Sequence, residues 1–109
     1  LGDAHTFVGS MHGTIAVAYE RLSELRQASA HLARAVSIAR RNLGPSHVRT
    51  ATYHLRLADV SRAAGQYEKA LEHYRNALAA FRDALGRKNL ATASALSKIG
   101  LVLGDLGRH

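Results

Sequence analysis

Seven histidines are the residues of this chain best suited to chemistry, and six of them fall into pairs 42 residues apart: His5 with His47, His12 with His54, and His31 with His73. Neutral imidazole is the commonest protein ligand for transition metals, so the pairing first suggests a metal centre. The spacing speaks against one. Equivalent positions of successive repeat units sit roughly 10 Å or more apart, because packed helix axes alone are about 8–10 Å apart. Two ligands of one zinc must each lie about 2.0–2.1 Å from the ion. No His-Glu-x-x-His or comparable i, i+4 ligand pair occurs, and the absence of Cys removes both thiolate sites and a disulfide framework. The histidines therefore read as inherited architecture, and no metal or cofactor is expected. Catalytic signatures are missing as well: there is no phosphate-cradling glycine loop, no Gly-x-Ser-x-Gly elbow and no cluster of acids. The chain is not expected to be an enzyme.

Charge is the next chemical feature. Fifteen Lys and Arg against eight Asp and Glu leave a net +7, which attracts acidic partners over long range. Basic residues gather at Arg34, Arg40, Arg41, Arg87 and Lys88. A nucleic-acid binder would place such charges along one stripe with aromatic stacking platforms between them. Four Tyr, two Phe and no Trp supply few platforms, and Arg40 and Arg41 stand where cations stabilise a helix C-terminus. Nucleic acid is disfavoured as a partner. No run of roughly 18 apolar residues and no signal-peptide pattern appears, so no membrane association is expected. Lack of Cys fits a reducing compartment, and the expected location is cytoplasmic.

The 42-residue spacing governs more than the histidines. Leu-Gly recurs at Leu1-Gly2, Leu43-Gly44 and Leu85-Gly86, and residues 1–42 match 43–84 at nine identical positions, among them Ala16/Ala58, Ala28/Ala70, Ala35/Ala77 and Arg40/Arg82. Thr50/Thr92, Val60/Val102 and Gly65/Gly107 carry the register into the third unit. A period of this size marks a solenoid whose units bury apolar faces against their neighbours. Tyr67, Ala70, Leu71, Tyr74, Ala77, Leu78 and Phe81 recur at three- and four-residue steps, as do Leu25, Ala28, Leu32, Ala35, Val36 and Ala39 one repeat earlier. Upstream segments (Met11, Ile15, Ala18, Tyr19, Leu22 and Tyr53, Leu57, Ala58, Val60, Ala64) complete a helix pair in each repeat. Helices are expected over 5–22, 26–42, 47–64, 67–84 and 89–106, antiparallel in succession. Gly65 and Gly107 stand at left-handed C-cap positions, Ser23 takes that place in repeat one, Gly44-Pro45 breaks the chain, and Ser46 is placed to cap the following helix. With no initiator Met and a third unit that stops at His109, residues 1–109 read as a single domain cut from a longer protein, with repeats 1–42, 43–84 and a partial 85–109.

Small residues fall where paired helices cross: Ala16, Ala58 and Gly100 in the first helix, Ala28 with Ala35 and Ala70 with Ala77 in the second. This pattern resembles the tetratricopeptide repeat, with Ala16, Tyr19, Ala28, Leu32 and Ala35 as signature positions in repeat one and Ala58, Ser61, Ala70, Tyr74 and Ala77 in repeat two. Ser61 alone departs, replacing a large residue and leaving a shallower contact. The string from Gly65 to Leu78 looks like the family's diagnostic turn and second helix. The period is similar to the longer subtype found in kinesin light chains. The resemblance implies a right-handed all-α solenoid of about two and a half repeats that serves as a protein-interaction scaffold. Adjacent asparagines that hold peptide backbone in the kinesin light chain form are replaced here by Gly13-Thr14, Leu55-Arg56 and Ser97-Lys98, and Gly13 and Val17 stand where a chaperone-type carboxylate clamp needs a cation and an asparagine.

In such arrays the first helices line a concave groove. Its expected lining is Ser10, Gly13, Thr14, Val17 and Arg21, then Thr52, Leu55, Arg56, Asp59 and Arg62, then Ser94, Ser97, Lys98, Leu101 and Asp105. The peptide-binding core of that set is Thr14, Val17, Thr52, Arg56, Asp59, Ser94 and Lys98. Arg56 and Lys98 occupy one repeat position and are expected to address carboxylates of an acidic or C-terminal peptide. A competing reading makes the chain a structural or self-associating module, a homo-oligomer joined through Leu96, Ile99, Val102, Leu103 and Leu106 of a last helix that lacks its own partner. A third makes it the sensor segment of a signalling or transcriptional regulator.

Overall fold

The computed structural model describes residues 25–107, which form four α-helices joined by short turns: α1 (Leu25–Leu43), α2 (Val48–Ala63), α3 (Tyr67–Leu85) and α4 (Leu90–Asp105). No strand occurs among the described residues. The bounds lie within one residue of those the apolar periodicity predicts. The helix expected over 5–22, the Leu1-Gly2 pair and Ser23 fall outside the described residues.

Each helix packs against the next, and the faces follow from side-chain size. α1 buries the single stripe Ala28, Leu32, Ala35, Val36 and Ala39, which meets Tyr53, Leu57 and Val60 of α2. α2 is buried on two sides: its opposite face carries Ala51 and Ala58 to α3. There Ala70 and Ala77 answer them, and all four alanines are fully buried. Side chains this small allow two helix axes to approach at the short end of the packing range, and a larger residue would overpack the seam by about 1–3 kcal/mol. Tyr74 fills the centre of the next cluster with Leu71, Ile99 and Val102, joining α3 to α4. The signature positions Ala28, Leu32, Ala35, Ala58, Ser61, Ala70, Tyr74 and Ala77 are all buried.

Two kinds of turn alternate. After α2, the amide of Gly65 donates to the Arg62 carbonyl at 3.0 Å and that of Gln66 to the Ser61 carbonyl at 2.8 Å, the paired bonds of a Schellman cap. Gly65 sits at φ +77°, as its C-cap role requires. Between repeats, Gly86 adopts φ 86°, ψ 170°, a region essentially restricted to glycine, which explains why the second residue of the Leu-Gly pair recurs. The Thr50 hydroxyl donates to the Gly44 carbonyl at 2.9 Å, and one repeat later Thr92 does the same to Gly86 at 2.8 Å. His47 Nδ1 accepts the Arg49 amide at 3.0 Å and Asn89 Oδ1 accepts the Ala91 amide at 2.8 Å, so these two equivalent residues are the N-caps. Ser46, expected as the cap, instead donates its hydroxyl to Asp83 at the end of α3. It lies one residue too early to reach the free amides of α2.

Two expectations about α4 are corrected. Ile99 and Val102 are buried (8 and 0 % exposed), and Leu103 and Leu106 are partly buried against the same cluster. Only Leu96 of the five residues expected on an open apolar face is exposed. The reason is geometric: a first helix packs on the second helix of the preceding pair, so one face of α4 is filled by α3 without a partner of its own. Gly100, expected at a close crossing, is exposed with open space where a Cβ would stand. Its equivalent, Ala58, is covered by α3, and no helix follows α4 among the described residues.

Candidate functional site

The helices that the repeat pattern assigns to a groove are α2 and α4, and their side chains reach each other across it. Asp59, one turn before the end of α2, receives Lys98 Nζ of α4 at 3.0 Å on each carboxylate oxygen. It also accepts the hydroxyl of Tyr74 from α3, so a single half-buried carboxylate ties three helices together. One turn further, Arg62 Nε meets Asp105 Oδ2 at 2.8 Å. That hydrogen bond outweighs partial burial and holds the Arg62 guanidinium above its ordinary pKa. The two pairs run in opposite sense, cation to anion and then anion to cation, so a register slip between α2 and α4 would bring like charges together.

Lys98 is thus committed within the protein, whereas its equivalent, Arg56, is exposed and makes no ion pair or hydrogen bond among the described residues. The sequence differs at the matching position: the residue 42 positions before Asp59 is Val17, which carries no carboxylate. Thr52 is half-buried and donates its hydroxyl to the Val48 carbonyl at 2.9 Å within its own helix. Ser94, Ser97 and Leu101 are exposed on α4, and Leu55 packs between α3 and α4. Ser10, Gly13, Thr14, Val17 and Arg21 lie outside the described residues. Asp59, Arg62, Ala63, Tyr67 and Asp105 line a shallow depression of about 430 Å³ beside the ion pairs. Sequence periodicity placed the cations but not their pairing, because Lys98 and Asp59 are 39 residues apart, a separation the 42-residue period does not mark.

Histidines come together too, though not as repeat equivalents. His54 of α2 and His73 of α3, 19 residues apart, stack with ring centroids 6.1 Å apart and planes 28° from parallel. Both Nδ1 atoms are buried without a hydrogen-bond partner among the described residues. Burial, then the neighbouring His73 and Arg40, push the His54 pKa down to about 4. Burial likewise lowers that of His73, against the raising influence of Glu72 and with the lowering influence of Lys69. The pair is held neutral at physiological pH and spans the α2–α3 seam. Among the described residues no group of three or more His, Cys, Asp or Glu side chains converges as a metal site would require. Arg40 and Arg41 stand in the last turn of α1, and Ser37, Ala33 and Val36 share a shallow depression with them. No described helix is long and apolar enough to cross a membrane.

Comparison with known proteins places this geometry. A family model described as Tetratricopeptide repeat matches residues 7–83 and again residues 50–109. Among solved structures, the crystal structure of BtubC (BKLC) from P. vanneervenii is similar, with a TM-score of 0.83 over 90 % of this chain at 21 % identity. At that identity the likeness concerns the fold, and this chain spans 39 % of that one. No curated protein matches the sequence.

Proposed function

This chain belongs to the tetratricopeptide-repeat family, a non-catalytic scaffold whose repeats mediate protein–protein contacts, and from that premise we propose that it binds a peptide or partner helix bearing carboxylates on the groove face around Arg56. Supporting the reading is the exposed guanidinium of Arg56 on α2, unpaired among the described residues and at the repeat position whose cation, Lys98, is neutralised by Asp59 one unit later. A guanidinium offers two parallel donors to a carboxylate, and such charge-assisted bonds are among the stronger polar contacts. Thr52 flanks it one turn earlier, and Ser94 and Lys98 extend the face along α4. Within this reading Lys98 and Asp59 set the width of the groove, and Arg56 holds the ligand.

Fluorescence anisotropy with a labelled decapeptide rich in Glu and ending in a free carboxylate tests this. Arg56→Glu is expected to weaken binding at least about tenfold, and Lys98→Met much less, because the latter breaks a contact already internal to the protein. Equal losses for both variants, or none for Arg56→Glu, would contradict the assignment.

A second reading is favoured by α4. Ala93, Leu96 and Gly100 are exposed along one stripe, while their repeat equivalents Ala51, His54 and Ala58 are all buried against α3. We infer self-association through this stripe as the alternative role. Analytical ultracentrifugation decides it: Leu96→Glu should dissolve any concentration-dependent dimer, and a monomer at high concentration removes the reading.

A further inference from the structure

Three helices and a turn enclose a cavity of about 260 Å³. Arg40 reaches it from the last turn of α1, Ser46 from the turn before α2, His54 from α2, and Asn76, Ala79 and Asp83 from α3. Opposite charges stand on its two sides and do not meet. Arg40 makes no ion pair or side-chain hydrogen bond among the described residues, and neither does the side-chain amide of Asn76. Asp83 accepts the Ser46 hydroxyl on Oδ2 at 3.1 Å, which leaves its other oxygen open among the described residues.

His54 is the buried part of the wall, 9 % exposed, and its Nδ1 has no hydrogen-bond partner among the described residues. Buried N–H groups without an acceptor are rarer than buried acceptors without a donor, so the single proton of the neutral ring belongs on Nε2, which is left as a donor. Charged side chains at a surface need no explanation singly, since water solvates them. Here a cation, an anion, an amide and a buried imidazole converge on one concavity from three helices. A lone carboxylate or phosphate in it would satisfy Arg40 and be repelled by Asp83, and a lone ammonium would meet the reverse. Only a ligand carrying both charges answers both walls. Sites for drug-sized ligands run to roughly 300–1,000 Å³, so this volume suits a molecule of few heavy atoms.

We propose that this cavity binds a small α-amino acid with an uncharged side chain, its carboxylate on the Arg40 guanidinium, its ammonium on Asp83 Oδ1, and its side chain beside Asn76 and the His54 Nε2–H. An α-amino acid holds its two charges on one carbon, close enough together to bridge walls that do not reach each other. The guanidinium offers a planar fork to the carboxylate and the ammonium offers three donors to Asp83, so both ends are met by charge-assisted hydrogen bonds. The site does not involve Arg56 and stands independently of the groove reading.

The test is an amide-resolved NMR titration of the whole chain at constant ionic strength, with L-serine, acetate and methylammonium in separate arms. L-Serine is expected to shift the amides of Ser46, Asn76 and Asp83 saturably, and neither single-charge probe does so over the same concentrations. Arg40→Gln and Asp83→Asn, both at exposed positions, should each raise the dissociation constant at least about tenfold. Ala79→Leu fills the space from another exposed position and should weaken binding as much without removing a charge. Arg56→Glu should leave the response unchanged. Absence of saturable shifts, an equal response to acetate or methylammonium, binding that survives both charge variants or Ala79→Leu, or a loss with Arg56→Glu would each overturn the proposal.

Discussion

At the junction between the first and second repeats Arg56 stands exposed, and a basic, hydroxyl-lined cavity opens at the α2–α3 turn. At the junction between the second and third, Lys98 is clamped by Asp59, Arg62 is clamped by Asp105, and leucines that pack around Tyr74 stand at the positions equivalent to Ser29, Ser61 and Ala64. Both junctions use one helix geometry and one repeat register. What separates them is a handful of side chains: Val17 against Asp59, Ser29 against Leu71, Ser61 against Leu103, Ala64 against Leu106. The second junction spends its polar groups on internal pairs and its apolar groups on the core, whereas among the described residues the first leaves Arg56 unpaired and a polar cavity open. In a protein whose stability is roughly a sum over units and their interfaces, one interface can hold the array while the neighbouring one meets ligands.

The largest expected effect breaks the packed junction. Tyr74→Ala removes a fully buried ring and the hydroxyl bonded to Asp59, and should cost about 3–5 kcal/mol in urea unfolding. Acid should act next, through His54. Its unfolded imidazole takes a proton near 6.5, whereas the folded one resists until about 4. The stability present above the higher value is therefore lost as pH falls through that window, at most about 3 kcal/mol. Replacing His54 by Leu, the residue at the equivalent position 96, should flatten the dependence of the melting temperature on pH between those limits. An unchanged slope would show that the stacked pair does not control it.

Filling the open junction sharpens the comparison from the other side. Ser61→Leu supplies the side chain its repeat equivalent carries and should raise stability by about 1 kcal/mol, read from the urea midpoint at constant m. A loss instead would mean that the cavity walls cannot accept the leucine that the next junction accepts. Smallest of all, Lys98→Met should cost only about 0.2–1 kcal/mol, because both partners are about a third exposed, and high salt should erase part of the difference.

Much of the fold was legible because it depends on periodicity alone. The stripe from Tyr67 to Phe81 fixed α3 to within a residue, and the Leu-Gly pairs marked connections where Gly86 adopts a glycine-only conformation. Competition between neighbours was harder to read. Ser46 and His47 both carry an acceptor ahead of α2, and only the path of the turn decides that His47 reaches the Arg49 amide. Ile99 and Val102 read as available because no second helix follows α4 among the described residues, yet the helix before it covers them. Contacts made across two helices left no trace in spacing: neither the Asp59–Lys98 pair nor the His54–His73 stack follows the period that organises everything else. Ser61 was conspicuous as a small residue in a large residue's place, but its convergence with Arg26, Ser29 and Lys69 needed the packing of three helices.

The central claim is that the two junctions divide labour, the first binding and the second holding. Amide chemical-shift mapping with the Glu-rich decapeptide tests it most directly. The account predicts that perturbed amides cluster around Arg56 and Thr52 on α2 and leave Leu101–Asp105 of α4 unmoved. Perturbation centred on α4, or spread evenly over both junctions, would contradict it.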